Sequence, residues 1–126
     1  MEYQKAVQAE LNLKGYVTNL YGRRYYLEKS TNYYKANNYL IQGTGADLLK
    51  EAEIKICDYL KDKKSRFILP IHDEIAVEIH PDEENEVPKK LKEFMEGISS
   101  TIKWVPMVSE VEMSETSWAD KHEVEV

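Results

Sequence analysis

Three consecutive polar residues, His72, Asp73 and Glu74, interrupt an apolar stretch that reads "ILPIHDEIAVEIH" over residues 68–80. Apolar runs at 68–71 and 75–79 flank them, so the pattern predicts a buried hairpin with two acids and an imidazole at its tip. A carboxylate on such a scaffold can bind a hard divalent cation. Mg²⁺ keeps several waters and takes one or two protein carboxylates together with substrate phosphates. Two-metal phosphoryl transfer needs more, because a further carboxylate must face the same ions. By itself the tripeptide is a weak signal, since a polar hairpin turn has the same composition. A free-standing metal hydrolase using His72, Asp73, Glu74 and His80 has little support. Strand alternation puts His80 at the far end of the second strand, and no nucleophile is apparent.

The elements that must hold this tip follow from periodicity. Residues 2–14 predict a helix, with Tyr3, Ala6, Val7, Leu11 and Leu13 near a 3.6-residue period and Gly15 at its C-terminal cap. The segment "YVTNLYGRRYYL" (16–27) predicts a hairpin or extended loop around Tyr21 and Gly22. Residues 28–34 are polar and loop-like. A second helical region runs from about Lys35 to Asp62, and Gly43 and Gly45 predict a bend in it. Leu48, Leu49, Ala52, Ile56, Tyr59 and Leu60 make its apolar stripe, while Asn38 and Gln42 share a face one turn apart. After the hairpin at 67–79, Pro81 to Glu84 is expected to open another helix with its acids at the positive end of the dipole. Val87, Leu91, Phe94, Met95 and Ile98 form its buried face. Residues 105–113 predict a last strand. The fold class is α+β, a small antiparallel sheet made of the hairpin plus the C-terminal strand and covered by helices on one face. Pro70, inside the first hairpin strand, lacks a ladder donor and points to an unpaired edge.

A chain of 126 residues with 42% hydrophobic and 32% charged residues suits one globular domain, 1–126, and not a disordered segment. No apolar run approaches the roughly 18 residues that a membrane span needs. The N-terminus lacks a signal-peptide pattern, so a cytoplasmic setting is expected. Cys57 is the lone cysteine, which excludes an internal disulfide and a cysteine zinc site, and it is expected to pack inside. Net charge is −6 but uneven. Residues 1–66 carry 12 Lys and Arg against 8 Asp and Glu, and residues 67–126 carry 5 against 15. Such a chain is a poor free-standing nucleic-acid binder overall, although its first half can present a local basic surface.

Four segments then gain meaning from their order: "KGYVTNLYGRRYYL" (14–27), "NYLIQGTGADLLK" (38–50), "ILPIHDEIAVEI" (68–79) and "VPMVSEVEMSETSW" (105–118). Together they resemble the C-terminal end of family A DNA polymerases, the DNA polymerase I type including phage members, over residues 3–118. The resemblance implies a DNA-directed DNA polymerase palm with a two-metal Mg²⁺ site. "IHDE" looks like the third polymerase motif. Asp73 is then the catalytic metal-binding carboxylate, Glu74 its auxiliary acid, and His72 the residue that touches the primer end. Asn38 and Gln42 would face the primer–template minor groove, where an amide meets acceptors that every base pair shows. Gly43, Thr44, Gly45 and Ala46 would allow close backbone approach, or serve core packing. Arg23 and Arg24 look like the family's paired basic residues and suit phosphate contact through their forks, or a structural salt bridge. Lys35 is a further phosphate candidate.

Departures qualify the match. Tyr34 stands where family members often carry an arginine, which puts a DNA contact there in doubt, and Leu40 replaces a common proline. No "DYSQIELR"-like segment is present to supply the second aspartate, and no finger helix to hold the triphosphate. The chain is therefore expected to be a palm fragment, excised from a longer polymerase or one product of a split gene. It is expected to be inactive alone and to need primer–template DNA, deoxynucleoside triphosphates and the remaining polymerase segment in cis or in trans. The alternative is a non-catalytic polymerase remnant acting as a protein-binding module, docking through apolar surfaces.

Overall fold

The computed structural model describes residues 2–28, 32–97, 102 and 105–126. Its elements are α1 (Glu2–Lys14), β1 (Tyr16–Thr18), β2 (Arg24–Tyr26), α2 (Tyr33–Leu60), β3 (Arg66–Ile71), β4 (Glu74–Glu78), α3 (Val87–Glu96), β5 (Glu112–Met113) and β6 (His122–Glu123), with short 3-10 turns at Pro81–Glu83 and Trp118–Asp120. The class is α+β, as the sequence predicts. The strands form three separate two-stranded antiparallel ladders, β1–β2, β3–β4 and β5–β6. The C-terminal strand thus joins β6 and not the hairpin. It is also shorter than the predicted 105–113. The chain divides into two compact units, Met1–Leu48 and Leu49–Val126, with the division inside α2.

In the first unit α1 has the predicted bounds. It stops at Gly15, whose φ of 75° is open to glycine at no steric cost. The Gly15 amide donates to the Leu11 carbonyl at 2.8 Å, and the Leu27 amide donates to the Gly15 carbonyl at 3.2 Å. The chain is thereby turned from helix into ladder. Val7, Leu11, Val17, Ala36 and Leu40 form the core, with Tyr25 and Leu27 packed against it. Gly43 and Gly45 do not interrupt the helix as expected, and α2 runs unbroken through both. An interior glycine weakens a helix by only about 1 kcal/mol, too little to break one anchored on either side. Leu40 and Leu48, both buried, supply those anchors.

In the second unit Ala52, Ile56, Leu60, Val87 and Pro88 are buried. The Tyr59 and Phe94 rings meet edge to face at 5.6 Å. The acids at 82–84 do not begin α3. They lie in or beside the 3-10 turn, and α3 starts at Val87 with Pro88 in its first turn, where a missing N–H leaves no bond unmade. Glu83 has another task. It accepts from the Lys64 and Ser65 amides at 3.0 and 2.9 Å and from the Ser65 hydroxyl at 2.6 Å. It so fastens the end of α2 and the start of β3 to the 3-10 turn. These bonds hold its carboxyl at about 2, below the usual 4.5. Ile98, assigned to the buried face of the third helix, lies outside the described residues. Cys57, expected to pack inside, is exposed.

The β3–β4 hairpin is less buried than its composition suggests. Ile68, Leu69 and Pro70 are exposed. A register shift between Phe67 and Leu69 leaves Ile68 unpaired as a bulge. Pro70 is tolerated for a geometric reason. Ile71 and Glu74 close the loop, and Pro70 lies opposite Ile75 next to them. Bonded and non-bonded pairs alternate along an antiparallel ladder, so Pro70 takes a non-bonded place where its missing N–H is not called on.

Candidate functional site

His72 and Asp73 form the whole loop of the hairpin, between the closing pair Ile71 and Glu74. So tight a connection needs positive φ in the loop, and His72 supplies it at φ 54°. That is a left-handed conformation which few non-glycine residues adopt. His72, Asp73 and Glu74 are all exposed. Asp73 carries no hydrogen bond or ion pair among the described residues, so its oxygens are open to an incoming group. No cluster of three or more His, Cys, Asp and Glu able to hold a metal occurs among the described residues. One or two carboxylates suit a hard cation that keeps waters and substrate oxygens. The tip therefore fits as one part of a divalent-metal site.

Glu74 is not free. Lys121 Nζ stands 3.6 Å from its Oε1 and 2.5 Å from Glu112 Oε2, and lies over the Trp118 ring. Glu112, then Glu74, hold the lysine's pKa above its ordinary value. Lys121 was not among the residues singled out by the sequence. It lies far along the chain from the tip, and no local pattern links the two. His80 takes a separate place. Its Nδ1 accepts from the Asp82 amide at 3.2 Å and caps the 3-10 turn.

The remaining candidates belong to the first unit. Asn38 and Gln42 lie one turn apart on α2 and both are exposed, as are Tyr34 and Lys35. Arg23 and Arg24 differ sharply. The Arg23 guanidinium grips Asp47 through Nε (3.0 Å to Oδ2) and through its terminal nitrogen (2.5 Å to Oδ1). This bond, more than the attraction of the charges, raises the Arg23 pKa. Asp47 is 8% exposed and also accepts from Asn19 Nδ2 at 2.8 Å. Asn19 Oδ1 in turn accepts from the Tyr21 and Arg23 amides, which shapes the loop between β1 and β2. Arg24 stays exposed and its guanidinium carbon lies 4.9 Å above the Tyr16 ring. Asn19 and Asp47 were missed by the sequence reading, although an asparagine three residues before a glycine is a turn signal. Gly43 has a clear packing role, because a Cβ there would overlap the Tyr25 hydroxyl. At Gly45 a Cβ would meet open space.

Residues 1–120 match DNA polymerase family A. Similar curated proteins include DNA polymerase I of Borreliella burgdorferi, 39% identical over 99 residues that make up 77% of this chain and 11% of that protein. Another is the thermostable DNA polymerase I of Thermus aquaticus, 34% identical over 111 residues, 81% of this chain and 13% of that one. Among solved structures, the POL domain of Pol1 from M. smegmatis in complex with DNA primer-template and dNTP superposes with a TM-score of 0.70 at 31% identity, covering 78% of this chain and 19% of that one. The chain thus spans between 11% and 13% of the length of these two curated relatives.

Proposed function

We infer the function from one premise: the chain belongs to DNA polymerase family A. We propose that it is the C-terminal palm segment of a DNA-directed DNA polymerase, working in the cytoplasm of a bacterial or phage-infected cell. The observation that carries this reading is the Asp73 carboxylate, without a partner among the described residues, on a two-residue hairpin loop inside a chain that matches the family along 1–120.

Asp73 would hold a divalent metal, Mg²⁺ by preference, at the hairpin tip, with Glu74 as auxiliary acid beside it. When bound, such ions offset the charge that develops on the phosphoryl group. His72, exposed on the loop with its positive φ, would meet the primer end. Asn38 and Gln42 read the minor groove of the primer–template as a check on pairing, since both carry donor and acceptor on one exposed face. Arg24 and Lys35 contact phosphates. Arg23 serves the same surface by a different route, because its fork on Asp47 fixes the loop that presents Arg24.

Deoxynucleoside triphosphate binding and the second metal-binding aspartate come from a further polymerase segment, joined in cis or supplied in trans. The test is primer extension. The 126-residue chain alone should extend nothing. Addition of the upstream polymerase polypeptide should restore synthesis, and Asp73→Ala should remove it. Full activity with Asp73→Ala would overturn the proposal in favour of a non-catalytic module.

A further inference from the structure

Lys121 reaches the hairpin tip from 47 residues away in sequence, and it arrives already held. Its neighbours His122 and Glu123 pair with Met113 and Glu112 in the β5–β6 ladder. Its ammonium lies 2.5 Å from Glu112 and 5.1 Å from the centre of the Trp118 ring. Its side chain is 29% exposed, against 50% for Glu74. The closer, better-buried contact is therefore the one to Glu112, and the looser one at 3.6 Å is to Glu74. Glu112 holds the lysine, and the lysine holds Glu74. Asp73, one residue before, has no such partner among the described residues.

We infer that Lys121 is a positioning residue for the hairpin tip: it engages Glu74 as an ion-pair partner and leaves Asp73 as the tip carboxylate that takes the divalent metal. This rests on the reading of Asp73 as a metal-binding acid. The chemical reason is coordination. Two adjacent free carboxylates would both close on one small cation and occupy positions that substrate oxygens and water need. A fixed ammonium beside one of them prevents this by attraction, and by raising the local potential lowers the tip's affinity for the ion.

The test is a Mn²⁺ titration of the complete 126-residue chain, followed by paramagnetic broadening of the amide signals of residues 71–75. With Lys121 in place, Asp73→Asn should abolish the broadening, whereas Glu74→Gln should weaken binding far less, through the lost charge alone. Lys121→Met should bind Mn²⁺ about two- to fivefold more tightly, the size of an exposed ion pair. Adding Glu74→Gln to that variant should cancel the gain, and Lys121→Arg should behave as the unaltered protein does. The gain should shrink as salt is added.

An unchanged affinity in a folded Lys121→Met protein would overturn the inference. So would a loss in Glu74→Gln as large as that in Asp73→Asn, an outcome that needs no change at Lys121 and so does not depend on that variant folding. Broadening that survives Asp73→Asn would overturn the metal-binding reading itself, and the inference with it.

Discussion

Asp73 and Glu74 are neighbours with the same charge, yet the fold treats them differently. One has no partner among the described residues and the other faces Lys121. At this scale the first prediction concerns Asp73. In primer extension complemented by the upstream polypeptide, Asp73→Ala should lower the rate at least about a hundredfold, as loss of a metal-anchoring carboxylate would. A second concerns the basic pair. Arg24→Ala should reduce the slope of log K against log salt for primer–template binding by the complemented enzyme by about 1, the signature of one lost phosphate contact. Arg23→Ala should lower the melting temperature of the 126-residue chain through its lost bonds to Asp47, and should leave the salt slope intact if the loop survives. A slope that falls equally for both arginines would count against their division of roles.

Elements carry their own tests. Gly43 and Gly45 lie two residues apart in α2 and differ only in what surrounds them. Gly43→Ala drives a methyl into the Tyr25 hydroxyl and should cost about 1–3 kcal/mol of stability in urea unfolding, as overpacking does. Gly45→Ala meets nothing and should stabilise by about 0.5–1 kcal/mol through better helix propensity. Equal effects at the two sites would mean that Tyr25 gives way. The junction of α2, β3 and the 3-10 turn hangs on Glu83, whose folded pKa of about 2 lies below its ordinary 4.5. A carboxyl depressed on folding contributes stability that is complete above the unfolded value and is lost as pH falls through the folded one. Thermal melts should therefore show a loss between pH 4.5 and about 2 that Glu83→Gln lacks, the variant being less stable at neutral pH. A Glu83→Gln protein with the same acid profile would assign the loss to other carboxylates.

For the molecule as a whole, the charge split and the shortness of the match set the behaviour. With a net charge of −6, the chain alone should bind primer–template DNA with a Kd above about 10 μM at physiological salt, since phosphate neutralisation supplies most non-specific affinity. Fluorescence anisotropy checks this, and sub-micromolar binding would contradict it. The bounds of α1 and, within about two residues, of α2, the hairpin and its exposed tip, and the family were legible in the sequence, because each depends on local periodicity, turn chemistry or ordered motifs. Gly43 was misread as interrupting the helix, because the reason for that glycine is a ring on another element. The strand at 105–113 was overread, because alternation does not say which strand will pair. Periodicity and turn chemistry by themselves determined an α+β chain with an acidic tip, and the resemblance of its ordered motifs determined the family. Only the tertiary structure decided that Arg23 faces Asp47 and that Lys121 faces Glu74, since those pairings join residues 24 and 47 positions apart, and no local pattern encodes contacts made by folding.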